Sequence, residues 1–136
     1  MSLNMVLQTV SVEQGISSEI ISECKKKLLA MKAELLNRAK ALRAEFAAND
    51  KHSGDEIDQT VAQLAENNFL ASQERVRTQL MEIEFALSRI QSGHFGVCEE
   101  TGEYIERDRL MALPFTRLSI EGAEIREAHT KRFGRG

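Results

Sequence analysis

Residues 17–48 read SSEIISECKKKLLAMKAELLNRAKALRAEFAA. Ile21, Cys24, Leu28, Met31, Leu35, Ala39, Leu42 and Phe46 recur there at steps of three or four. That spacing predicts a helix with one apolar seam, because residues three and four apart share a helix face. Ser17 or Ser18 can cap it, with Glu19 in the first turn. Asn49-Asp50-Lys51-His52-Ser53-Gly54 then forms a polar turn, and Ser53 stands three residues before Glu56, the spacing of a capping box. A second helix is expected from Asp55 to Ser92. Its seam is Ile57, Val61, Ala65, Phe69, Val76, Leu80, Ile83, Leu87 and Ile90, with a stutter at Ser72.

Each helix is roughly 50 Å long at about 1.5 Å per residue. In a chain of 136 residues with aromatics at 5% and no Trp, no compact core can cover two such stripes. Pairing them with each other is the economical solution. The expected fold is therefore mainly α: a long antiparallel coiled-coil hairpin over residues 17–92, its tip at about 49–58, after an N-terminal segment, 1–16. Residues 93–136 would form a small globular end. A plain three- or four-helix bundle is the rival, and too little chain remains to build it.

The end region holds the chemistry. Gly93-His94-Phe95-Gly96-Val97-Cys98-Glu99-Glu100-Thr101-Gly102 has the turns of a zinc knuckle, and Ser119-Ile120-Glu121-Gly122 stands where its second half should be. A structural zinc takes four donors, commonly two CxxC pairs. Of the four positions, Cys98, Thr101, Ser119 and Gly122, only the first is a thiol. A hydroxyl is a poor zinc ligand and glycine offers none, so zinc is not expected here, nor any other cofactor. Cys98 then reads as a small buried hydrophobe. Stability must come from apolar contacts among Phe95, Val97, Tyr104, Ile105, Leu110, Leu113, Phe115, Leu118, Ile120 and Ile125. A short β-hairpin, Gly96–Val97 against Tyr104–Ile105, and a last helix from Ile120 to Lys131 complete the region.

The layout Gly-x-Phe-Gly-x-Cys, then Arg109-Leu110-x-Ala112-x-Pro114, preceded by a helical hairpin, resembles the DksA/TraR family of bacterial transcription factors. The likeness covers about residues 17–132 and looks like the family's degenerate, zinc-independent kind. It implies a coiled-coil arm that enters the RNA polymerase secondary channel and modulates promoter complexes at initiation, without direct DNA binding. It also implies an association with the stringent response. The family's tip signature is Asp-x-x-Asp-x-Ala. Counting back from Cys98 places Asp55 and Asp58 on its acids, at the turn located independently by periodicity. Thr60 replaces its Ala. Arg75 stands where the family often carries a basic arm residue. Without the resemblance, Asp55 and Asp58 read as charges favourable at a helix N-terminus.

In the family, ppGpp binds between factor and polymerase through basic residues. The same register places Glu82, Leu113 and Ala123 at those positions, so weak or absent ppGpp dependence is expected. A net charge of −3 argues against a broadly basic nucleic-acid face. The apolar runs are too short to span a membrane. The N-terminus lacks the regions of a signal peptide, and two isolated cysteines suggest no disulfide framework, so the expected location is the cytoplasm. No nucleophile–base arrangement or cofactor loop points to an enzyme. The alternative reading is a non-catalytic helical-hairpin adaptor that binds polymerase or another partner passively.

Overall fold

The computed structural model describes residues 16–51 and 59–133. They form four helices: α1 (Ser18–Lys51), α2 (Gln59–Ser92), α3 (Arg107–Ala112) and α4 (Ile120–Phe133). α1 and α2 are the two arms of the antiparallel hairpin. The α1 seam is as the spacing predicts: Cys24, Leu28 and Ala39 are buried and Ile21, Met31, Leu35, Leu42 and Phe46 half-buried, while Leu29 and Leu36 lie exposed off it. α1 runs to Lys51 rather than ending at Ala48, so the first half of the expected polar turn is helical.

The chain divides into two compact units, 30–83 and 1–29 with 84–136. In the first, α1 and α2 meet along the seam, with Val76 and Ile83 buried. Phe46 stacks on Phe69 with ring centroids 4.3 Å apart. A residue late in α1 thus meets one early in α2, as antiparallel pairing requires. The α2 seam weakens toward its start: Val61 is 55% exposed and Ala65 is exposed. Small side chains there leave an open groove of about 620 Å³ floored by Leu42, Phe46 and Phe69.

The second unit gathers the start of α1, the end of α2, α3 and α4. α2 stops at Gly93, whose positive φ of 84° suits a residue without a Cβ. The N–H groups of Gly93 and His94 donate to the carbonyls of Ile90 and Arg89, satisfying the last turn in a Schellman motif. The expected β-hairpin is a single antiparallel bridge, Val97 to Tyr104, closed by Cys98 N–H to Glu103 O and Ile105 N–H to Gly96 O, both 2.7 Å. Gly96 (φ 88°) lies against buried Ile16, whose side chain fills the space a Cβ would take.

α3 falls inside a stretch expected to be turns only. It is one short helix whose terminal carbonyls are taken up by α1: Lys27 Nζ donates to Met111 O at 2.8 Å, and the Cys24 thiol points to Leu110 O at 3.6 Å. Such outside donors are what a helix too short to satisfy its own ends requires. α4 begins at Ile120, as expected, and continues two residues beyond Lys131.

Candidate functional site

Four chain positions converge at the knuckle. The first turn, Cys98–Gly102, is closed by Gly102 N–H to Cys98 O at 2.9 Å. Inside it, Thr101 presents its backbone N–H, not its hydroxyl, to Cys98 Sγ at 3.5 Å. The Thr101 hydroxyl instead accepts from Glu103 N–H at 3.2 Å. The second turn is the start of α4. Ser119 is its N-cap: Gly122 N–H donates to Ser119 Oγ at 3.0 Å, and Ser119 Oγ–H lies 3.4 Å from Cys98 Sγ. Ser119 thus satisfies an orphan helix donor and donates its own hydrogen bond to the sulfur. The Glu106 carboxylate accepts from Ile120 N–H at 3.1 Å, a second cap on the same terminus.

Cys98 is 1% exposed. Burial opposes ionisation of its thiol, but the hydrogen bonds from Ser119 and Thr101 outweigh it and bring the group down to about 6. Cys24 has no such donors, and burial pushes its thiol up.

These residues do not fit a zinc ion. Thr101 and Ser119 have their hydroxyls committed to backbone N–H groups, and Gly122 has no side chain. A Cβ built on Gly122 would run into the Cys98 sulfur, so the space between the two turns is already filled. Among the described residues no three His, Cys, Asp or Glu side chains gather in ligand geometry.

Polar contacts join the turns around this centre. Arg126 pairs with Glu100 at 3.0 Å and lies 3.8 Å from Glu99, which also faces Arg117. Arg117 stacks over the Phe85 ring at 4.3 Å. Arg89 donates to the carbonyls of His94 and Val97, and Arg109 to Leu118 O at 2.8 Å. Of the apolar set expected to stabilise the end, Phe95, Ile105 and Leu110 are buried, and Val97, Phe115 and Leu118 are half-buried. Tyr104, Leu113, Ile120 and Ile125 are exposed instead. Their places in the core are taken by Ile16, Cys24, Leu28 and Ala86, contributed by the N-terminal stretch and the hairpin. Sequence reading of the knuckle alone missed these; the α1 seam already contained Cys24 and Leu28.

Residues 93–128 match the family described as the prokaryotic dksA/traR C4-type zinc finger. The RNA polymerase-binding transcription factor DksA of Caulobacter vibrioides is 33% identical over 103 residues, covering 76% of this chain and 72% of that protein. The chain belongs to the DksA/TraR family. An uncharacterized protein of Aquifex aeolicus is 33% identical over 115 residues, covering 80% of this chain and 77% of its own length. Transcription factor DksA2 from Pseudomonas aeruginosa is similar in structure, with a TM-score of 0.76 and 29% identity, over 84% of this chain and 88% of that one. The family is described as a C4-type finger, and within the matched residues this chain has one cysteine, Cys98.

The arm positions are distributed differently. Asp55 and Asp58 lie outside the described residues. Thr60 is exposed in the first turn of α2. Arg75 is exposed, with one guanidinium nitrogen 3.1 Å from Ser72 Oγ. Glu82 and Ala123 are half-buried and Leu113 is exposed. No described helix is long and apolar enough to cross a membrane.

Proposed function

We propose that this chain is a non-enzymatic, cytoplasmic regulator that binds bacterial RNA polymerase through the secondary channel and modulates promoter complexes at initiation. One observation carries the reading: a relative named for polymerase binding shares a third of its residues over most of both chains. The antiparallel pairing of α1 and α2 supports a hairpin arm. Asp55 and Asp58 are the proposed tip acids and Thr60 a neighbouring contact. Arg75, exposed on α2, is a proposed arm contact.

The proposed mechanism rests on charge and on the sequence register, which puts Asp55 and Asp58 between α1 and α2. Tip carboxylates act electrostatically on the polymerase's active-centre region, and the arm contributes steric fit. No chemistry at the tip is required. The net charge of −3 supports action through protein and not DNA. At the family's ppGpp positions an anion would meet Glu82, Leu113 and Ala123, none of which attracts it. The knuckle is proposed to fold without zinc, since its donors are committed elsewhere.

Purified polymerase core should retain the full-length protein in a pull-down, and adding ppGpp should not strengthen retention. Metal analysis of the same preparation should find far less than one zinc per chain. Failure to bind the core would overturn the polymerase reading and leave the helical-hairpin adaptor, which exposed Thr60 at the start of α2 favours through its departure from the family's Ala. Stoichiometric zinc would overturn the metal-free reading alone.

A further inference from the structure

We infer that Cys98 and Gly122 form a volume-coupled pair, in which the sulfur itself fills the space between the two turns and makes glycine obligatory at position 122. The inference goes beyond the polymerase reading and does not depend on it. A family described by four cysteines holds its turns together around an ion; this chain's residues are incompatible with that arrangement, and something else must join the turns.

The buried Cys98 sulfur faces three groups, one in its own turn and two across the gap. Thr101 N–H and Ser119 Oγ–H both point at it. The third is Gly122 itself, where an added Cβ would overlap the sulfur, while its next neighbours, Ser119 Oγ and Glu100 Cβ, would lie at 3.2 and 3.3 Å. Those two demand a shift of a few tenths of an ångström. The sulfur cannot give way as easily, because it is enclosed and held by two donors.

Gly122 lies inside α4 without a positive φ, so its backbone is one that any residue can adopt. Glycine in a helix is ordinarily a weakness, and alanine there ordinarily stabilises. The glycine here therefore has a steric reason, and that reason is one identifiable atom. The sign of the Gly122→Ala effect depends on what occupies position 98. With the sulfur present the substitution is harmful. With Cys98→Ala the gap opens and the new methyl group has room.

The test is a double-mutant cycle in thermal melting of the full-length protein, with chelator present so that stray metal plays no part. Gly122→Ala should lower Tm more than Cys98→Ala does. The double variant should melt above Gly122→Ala, at about the Tm of Cys98→Ala or higher. If Gly122→Ala does not fold but the double variant does, the coupling holds. Two additive losses, a neutral Gly122→Ala, or failure of both Gly122→Ala and the double variant to fold would each overturn it.

Discussion

The knuckle end and the arm are built on opposite economies. In the unit holding the knuckle, Ile16, Cys24, Leu28, Ala86, Phe95, Cys98, Ile105 and Leu110 are all buried, drawn from several separated stretches of chain. Among the described residues of the arm unit the buried apolar ones are Ala39, Val76 and Ile83, and Leu36, Val61, Leu64, Leu70 and Met81 are exposed. Two helices alone enclose few side chains; four elements enclose more. The end therefore carries the stability, and the arm carries surface.

The sharpest way to break this contrast is to cut a large side chain from each region. Leu110 is 1% exposed and Leu64 is 58% exposed. Leu110→Ala should cost about 2–5 kcal/mol, the range for a buried leucine that leaves a cavity. Leu64→Ala should stay within about 0.5 kcal/mol. Urea unfolding followed by circular dichroism gives both; equal losses would abolish the distinction.

A smaller effect is expected from the Ser119 cap of α4. Ser119→Ala removes the acceptor for Gly122 N–H and a donor to Cys98, and should cost about 1–2 kcal/mol by the same unfolding measurement. Ser119→Cys should not rescue it, since the lone added thiol completes no metal site.

A pH slope is expected as well. The folded Cys98 thiol ionises at about 6 against an ordinary value of 9.0. Between these values the unfolded chain holds a proton that the folded one has lost, so stability rises with pH across that window and the gain is lost as pH falls through about 6. Cys98→Ala should flatten the slope between pH 6 and 9. Cys24 is shifted upward, so its contribution is lost only as pH rises past its ordinary value, outside this window. A Tm–pH profile unchanged by Cys98→Ala would show that the sulfur is not held as a hydrogen-bond acceptor.

The parts legible in the sequence were those with a period or a fixed spacing. The α1 seam from Ile21 to Phe46 and the glycine stop at Gly93 follow from helix geometry alone. The β-bridge at Val97 and Tyr104 follows from the turn residues between them. α3 was not legible because a six-residue helix has no period of its own; it is completed by Lys27 and Cys24, more than eighty residues away in sequence. Ser119 was legible as a lost ligand and not as a cap, although a serine directly before a helical stretch is the ordinary capping signal. The filling of the gap by sulfur was not legible, since it depends on how closely two distant turns approach. The tip assignment of Asp55 and Asp58 rests on register and family likeness and is carried forward as a proposal.

The lifetime of a promoter complex formed by purified polymerase tests the central claim most directly. With the wild-type chain, the lifetime at a sensitive promoter should change, with or without ppGpp. With Asp55→Asn and Asp58→Asn together, the change should disappear while binding to the core persists. An unchanged lifetime with the wild-type chain bound, or a full effect from the doubly substituted one, would contradict the account.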